Sequence, residues 1–263
     1  TETNGLHIIT SKPFLVSMGF KAGDYKYVIT MDYNKEIMAS FWDMLESSTL
    51  WKNDNFIGVG AHNAKYDYHM MENGGSSIPE KIDLFDSITV ARLTEYVDEH
   101  ASMSLETLGG KYVSDDAKFA GKVIKDIIKK MNAERRKQLR EDIMNAFPED
   151  GFATITKSGK RKATGKLSKL IEEYDKTRTQ FLNDDNPYFK FIDEHFKEAN
   201  YKDVYEKEPE LMRSYAADDI VIGLEYLEKA MPTLLKVDEN LTVTKREGKL
   251  IRAVAWMEDT GLK

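Results

Sequence analysis

Phe14-Leu15-Val16-Ser17-Met18-Gly19-Phe20 and Tyr27-Val28-Ile29-Thr30-Met31 are two short runs rich in β-branched and aromatic residues, with Lys21-Ala22-Gly23-Asp24 between them. Gly and Asp in the gap mark a tight turn, so the stretch predicts a β-hairpin. Downstream, residues 36–45 predict a helix with Ile37, Phe41, Met44 and Leu45 on one face. Phe56-Ile57-Gly58-Val59-Gly60-Ala61 has the length and apolarity of a buried strand, and it leads into a loop and helix over residues 62–71 that Gly74-Gly75 ends. Residues 81–85 read as another strand, Asp86-Ser87 as the cap of a helix reaching about residue 96, and residues 105–112 as a further short helix. Strands interleaved with helices place the N-terminal third in the α/β class.

From residue 115 to 200 the texture changes to charged helical sequence. Helices are predicted over residues 122–146, 166–182 and 187–199, with a Gly/Ser/Lys-rich gap over 156–165. This stretch reads as an insertion on the α/β core. Residues 208–231 predict a strong helix ended by Pro232, and a new helix begins near residue 245. No internal repeat is present.

The chain has 263 residues and a net charge of −7, with no cysteine. That length suffices for one sizeable core, or for one domain with a large insertion. The absence of Cys excludes a disulfide scaffold, a thiol nucleophile and a Cys-ligated zinc site, and is compatible with a reducing cytosol. No apolar run reaches 18 residues and no charged-then-apolar leader is seen, so neither a membrane span nor a secretory signal is expected. The charge is segregated. Residues 118–182 hold 17 Lys+Arg against 9 Asp+Glu, a balance of +8, which leaves −15 for the rest of the chain. A basic block of this kind is either a solvated face or a phosphate-contacting element.

Carboxylates recur in three short segments: Thr1-Glu2-Thr3-Asn4-Gly5-Leu6, His62-Asn63-Ala64-Lys65-Tyr66-Asp67, and Ser214-Tyr215-Ala216-Ala217-Asp218-Asp219. Hydrolysis of a phosphodiester by two metal ions needs carboxylates that converge from separate elements, because hard oxygen ligands hold Mg²⁺ or Mn²⁺ about 3.5–4 Å apart. Each segment alone also has an ordinary reading. Glu2 is a solvated chain end, Asp67 a favourable charge near a helix start, and Asp219 a surface partner of Tyr215 one turn earlier.

In combination, order and spacing, the three segments resemble the motifs of the 3′–5′ proofreading exonuclease domain of family A DNA polymerases, a DnaQ-like member of the RNase H-like superfamily. The first family motif, Asp-Thr-Glu-Thr-x-x-Leu, matches from Thr1 onward, and its leading Asp falls directly before Thr1. The second, Asn-x-x-x-Asp, matches Asn63 to Asp67. The third, Tyr-x-x-x-Asp, matches Tyr215 to Asp219. Ser214 stands where the histidine subclass has His, which places the chain in the tyrosine subclass. Met257-Glu258-Asp259-Thr260-Gly261 resembles the start of the polymerase domain.

The resemblance covers about residues 1–114 and 201–263. It implies an RNase H-like mixed β-sheet flanked by helices, with a long, mostly helical insertion. The core would be 1–114 and 201–240, the insertion 115–200, and the start of a truncated polymerase domain 241–263. It implies catalytic Glu2, Asp67, Tyr215 and Asp219, with Glu2, Asp67 and Asp219 binding two divalent ions, Mg²⁺ or Mn²⁺. Tyr215 would orient the attacking water. Leu6 would wedge against the terminal base, and Thr3, His62, Asn63 and Tyr66 would contact substrate. The implied activity releases deoxynucleoside monophosphates from a single-stranded or frayed 3′ end of DNA, in a cytoplasmic monomer of a bacterial cell or phage-infected host, with a polymerase domain in cis. Without the first-motif Asp, that activity is expected to be impaired. Two alternatives stay open, a non-catalytic nucleic-acid-binding module of a polymerase and a ribonuclease D-like RNA exonuclease. His69 has no third His or Cys beside it and is not read as a ligand. Asp218 is read as solvated, and Asp86 as a helix cap.

Overall fold

The hairpin forms as the turn chemistry dictates. In the computed structural model, β2 (Pro13–Ala22) pairs antiparallel with β3 (Tyr25–Asp32) around a two-residue loop whose first residue, Gly23, has φ +60°. Gly takes that angle without a Cβ clash, and the resulting turn follows the twist of the strands. The structure describes residues 1–4, 7–8, 10–49, 56–95, 102–114, 119–177 and 186–261. These divide into two units, Thr1–Ile124 with Asn200–Lys263, and Lys125–Ala199.

In the first unit, β1 (Glu2–Thr3) adds antiparallel to β2, giving the order β1-β2-β3. Helix α1 (Lys35–Ser47) follows, capped by the Asn34 side chain on the Ile37 amide. Its buried face is shifted from the expected one, Leu45 and the partly buried Phe41 packing on the core as expected. Met38, Trp42 and Leu45 are buried, whereas Ile37 and Met44 are 52% and 61% exposed. Apolar residues occupy more than half the circumference of this helix, so periodicity alone admits two faces one residue apart. The volume of Trp42 and Met38 against Val16, Leu84 and Ile82 decides between them.

A βαβ unit comes next: β4 (Val59–Ala61), α2 (Ala64–Asn73) and β5 (Leu84–Asp86), with β4 and β5 parallel. Helices α3 (Ser87–Thr94), α4 (Leu105–Tyr112) and α8 (Tyr201–Lys207) complete the periphery. The long helix α9 (Pro209–Val237) packs across β2 and β3. It approaches so closely that a Cβ on Gly19 would lie 2.3 Å from Ile220 Cγ2, which is why β2 has glycine there. Pro232 does not end α9 as expected. A Pro in a helix interior loses one backbone hydrogen bond at about 3 kcal/mol. Here burial of Ala230 and Leu234 beside Tyr226 and Val90 offsets that loss and carries the helix on to Val237. Finally α10 (Thr242–Asp259) lies on β5 and α2. The Arg252 guanidinium donates to the carbonyls of Ile78, Pro79 and Ile82, each at 2.9 Å, and so staples α10 to the segment before β5.

The second unit has its own core, built from Leu139, Ile143, Phe152, Leu167, Tyr174, Ile192 and Phe196 among others. It comprises residues 125–146 of α5 (Phe119–Ala146), α6 (Gly165–Thr177) and α7 (Pro187–His195), the last opening on an Asn186 cap and Pro187. The Gly/Ser/Lys-rich gap over 156–165 contains a strand, β7 (Arg161–Ala163), which pairs antiparallel with β6 (Ala153–Ile155) just before the gap to form a hairpin. Strands of three residues fall below the length at which alternation is visible in sequence. The chain is therefore a mixed α/β protein, and among its described residues no helix is long and apolar enough to cross a membrane.

Candidate active site

Three distant segments of the first unit meet at β1. Glu2 lies on β1, Asp67 in the first turn of α2, and Tyr215 and Asp219 one turn apart on α9. The Thr1 amino nitrogen donates to Asp67 Oδ1 at 2.6 Å and the Thr1 hydroxyl donates to the same oxygen at 2.9 Å. The nitrogen is an ammonium when Thr1 begins the chain and an amide N–H when a residue precedes it.

The carboxylates feel their surroundings and one another. Burial pushes Glu2 from 4.5 up to about 7, the charges of Asp219 and Asp67 adding to it against the pull of the Thr1 amino group. Burial raises Asp219 to about 6, opposed by its hydrogen bond from Tyr215 and by the same amino group. Burial, reinforced by the Asp219 and Glu2 charges, holds the Tyr215 hydroxyl far above its ordinary range, so it remains a proton donor. Glu2 is thus not the solvated residue that chain ends usually carry. Asp218, beside Asp219, is exposed as expected.

The flanking residues have defined partners. Thr3 is buried and its hydroxyl lies 2.6 Å from the Tyr66 hydroxyl. His62 Nδ1 lies 2.8 Å from Ser87 Oγ, and burial lowers the imidazole pKa below its ordinary 6.5, so the ring is neutral near pH 7. Asn63 adopts the left-handed conformation, φ 65° and ψ 54°, at the start of α2. Its own side chain makes no capping bond there. Leu6 lies outside the described residues.

Asp86 caps α3 by accepting from the Ile88 amide at 2.8 Å. It does more than the sequence reading assigned to it, since the Asn63 and Ala64 amides also donate to its carboxylate, each at 3.0 Å. One side chain at the end of β5 therefore fixes the start of α2, one turn ahead of Asp67. A second cluster also escaped sequence reasoning. Glu258 accepts from Lys65 Nζ at 2.7 Å and lies 2.8 Å from Nε2 of the buried His69. The spacing of Lys65 and His69, four apart on α2, was the available signal for a shared acidic partner. Glu258 belongs to the segment that resembles the start of a polymerase domain, and its side chain is engaged within the first unit.

Among the described residues no group of three or more His, Asp or Glu is arranged to hold a metal ion. The donor chemistry still suits a hard dication. Glu2 and Asp219 are carboxylates whose burial opposes ionisation, and a bound cation relieves that opposition. Comparison with family models, with curated proteins and with solved structures returns no match.

Proposed function

We propose that this chain carries a metal-dependent 3′–5′ exonuclease site on an RNase H-like framework, of the kind that edits the primer end for a DNA polymerase. One observation carries the reading. Glu2, Asp67 and Asp219 come from three separate elements, the charges of Asp67 and Asp219 act on Glu2, and the Tyr215 hydroxyl lies beside Asp219 and favours its ionised form. Glu2 and Asp219 are largely withdrawn from solvent near Asp67, and burial of neighbouring carboxylates is unfavourable without a compensating ligand. Among the described residues the antiparallel β1-β2-β3 sheet and the parallel β4-β5 pair are separate sheets, so the support for the RNase H-like framework is the mixed α/β setting and not a single mixed sheet.

Glu2, Asp67 and Asp219 are the residues that would hold Mg²⁺ or Mn²⁺, and bound ions supply water activation and leaving-group stabilisation. The chain's own groups do the rest. Tyr215, kept protonated, offers a hydroxyl beside Asp219 to orient a water. Thr3 and Tyr66 brace β1 against α2, and His62 and Asn63 border the same region. The substrate is a single-stranded or frayed 3′ end of DNA, with deoxynucleoside monophosphates as product.

The test is digestion of a 5′-labelled DNA strand in Mg²⁺ or Mn²⁺, with and without an Asp placed before Thr1. The reading expects a ladder shortening from the 3′ end, faster with the added Asp and abolished by Asp219→Ala. No ladder in the Asp-bearing protein overturns the exonuclease assignment in favour of a non-catalytic DNA-binding module. Laddering that survives Asp219→Ala overturns the residue roles, and faster digestion of a matched RNA strand points to the ribonuclease D-like alternative.

A further inference from the structure

The basic block of the second unit is not a uniformly solvated surface. Arg136 is taken up by Asp175, at 2.7 and 3.2 Å, and Arg135 by the Lys197 carbonyl at 2.9 Å. Lys166 reaches the Asp150 carbonyl at 2.7 Å while lying over the Phe152 ring. These cations hold the unit together. The hairpin is different. Its eleven residues from Ala153 to Ala163 contain Lys157, Lys160, Arg161 and Lys162 and no carboxylate.

The root of this hairpin is rigid. Phe152 is 1% exposed in the core of the unit, its ring meets Tyr188 edge-on at 5.1 Å, and the Thr164 amide closes onto the Phe152 carbonyl at 2.9 Å. The tip is braced as well. The Lys160 amide donates to the Thr156 hydroxyl at 3.1 Å, the Thr156 amide donates to the Lys160 carbonyl at 2.8 Å, and Gly159 supplies a φ of +78°.

Register then sorts the side chains. Ala153 pairs with Ala163 and Ile155 with Arg161 on one face, where the alanines pack on the core and Arg161 donates to Asn145 Oδ1 at 3.0 Å. Thr154 pairs with Lys162 on the other face, and Lys160 follows two residues away on the same side. Lys157, Lys160 and Lys162 are exposed, and among the described residues no carboxylate pairs with any of them.

We infer that this hairpin is a DNA-binding arm whose Lys157, Lys160 and Lys162 contact the phosphate backbone of a duplex, with the two-stranded ribbon lying along the major groove. The width of that groove admits a two-stranded β-ribbon. Three unpaired ammonium groups on a braced scaffold neutralise phosphates with little ordering of the backbone. The ribbon carries a single large exposed apolar side chain, Ile155 at 77%, which is too few for insertion into a lipid surface. The inference stands on the second unit alone and does not depend on the exonuclease reading.

The experiment measures binding of a fluorescein-labelled duplex to the full chain by anisotropy across a KCl series, in EDTA so that no hydrolysis occurs. For the triple variant Lys157→Ala, Lys160→Ala, Lys162→Ala, the slope of log affinity against log salt is expected to become shallower by about 2.7, at about 0.9 for each phosphate no longer neutralised. The triple Lys→Arg variant is expected to keep the native slope, which guards against an effect of altered folding. An unchanged slope in the alanine variant overturns the inference. So does a slope change confined to single-stranded DNA, or a loss of binding to phosphatidylglycerol vesicles with duplex binding intact.

Discussion

Asp86→Ala tests how the fold aims Asp67. The carboxylate accepts three backbone N–H groups, from Ile88 at 2.8 Å and from Asn63 and Ala64 at 3.0 Å. Loss of the α3 cap costs about 1 kcal/mol. The Ala64 amide is partly buried, and leaving it without an acceptor adds about 1–3 kcal/mol. The Asn63 amide faces solvent and regains water, so it adds little. The sum is about 2–4 kcal/mol. The assay is urea unfolding followed by tryptophan fluorescence. Trp42 and Trp256 fall in the first unit and the sequence of the second contains no Trp, so the signal does not report the second unit. Asp86→Asn separates the two contributions. Asn caps helices as well as Asp does, so α3 keeps its cap, but the amide NH₂ that replaces one carboxylate oxygen cannot accept from Ala64. The expected order of stability is native, then Asn, then Ala. If Asn and Ala both lie within about 0.5 kcal/mol of the native chain, the range usual for inert surface changes, the clamp reasoning is refuted. Under the exonuclease reading, both variants also lose more activity than their folded fraction accounts for, because α2 carries Asp67.

Three further outcomes follow from the same structure. Glu2 has its pKa raised from 4.5 to about 7, so the folded state holds its proton more tightly than the unfolded chain; stability is unpenalised below pH 4.5 and falls as pH rises towards 7. Glu2→Gln is therefore expected to stabilise the metal-free protein at pH 8, by at most about 3 kcal/mol, and to flatten that pH dependence; thermal melts at pH 5 and 8 check the sign. Arg252→Ala removes the donors of three backbone carbonyls and is expected to destabilise the first unit by about 2–3 kcal/mol, with Trp256 fluorescence changing ahead of the main urea transition as α10 detaches. Gly248→Ala would place a Cβ 1.8 Å from the Leu84 carbonyl oxygen, so α10 must shift off β5, and a loss of about 1–3 kcal/mol in the same urea assay is expected.

Local chemistry explains which elements could be read in advance. The β2–β3 hairpin followed from a Gly-Asp turn between β-rich runs, and the α3 cap from Asp86-Ser87, because turn and cap energetics act over four residues or fewer. The buried face of α1 and the passage of α9 through Pro232 were misjudged, because distant residues set both. Val16, Ile82 and Leu84 choose Met38 and Trp42 over Ile37, and the burial of Leu234 beside Val90 outweighs the proline. The ribbon at Ala153–Ile155 and Arg161–Ala163 was hidden because each strand spans only three residues.

The site divides in the same way. Sequence alone singled out the residues proposed to carry the chemistry, Glu2, Asp67, Tyr215 and Asp219, by type, order and spacing, and spacing along one helix already puts Tyr215 a turn from Asp219. Only the tertiary structure decided what state those groups are in. Burial of Glu2 and Asp219, and the charges brought to Glu2 from α2 and α9, raise pKa values that no local sequence feature encodes. The same holds for the basic block. Counting gave +8, but three-dimensional pairing commits Arg135, Arg136 and Lys166 to the unit's own structure, while Lys157, Lys160 and Lys162 of the hairpin, like Lys129, Lys130 and Lys137 of α5, stay exposed. Charge is a property of the residue, whereas its availability depends on which partners the fold brings within hydrogen-bonding distance.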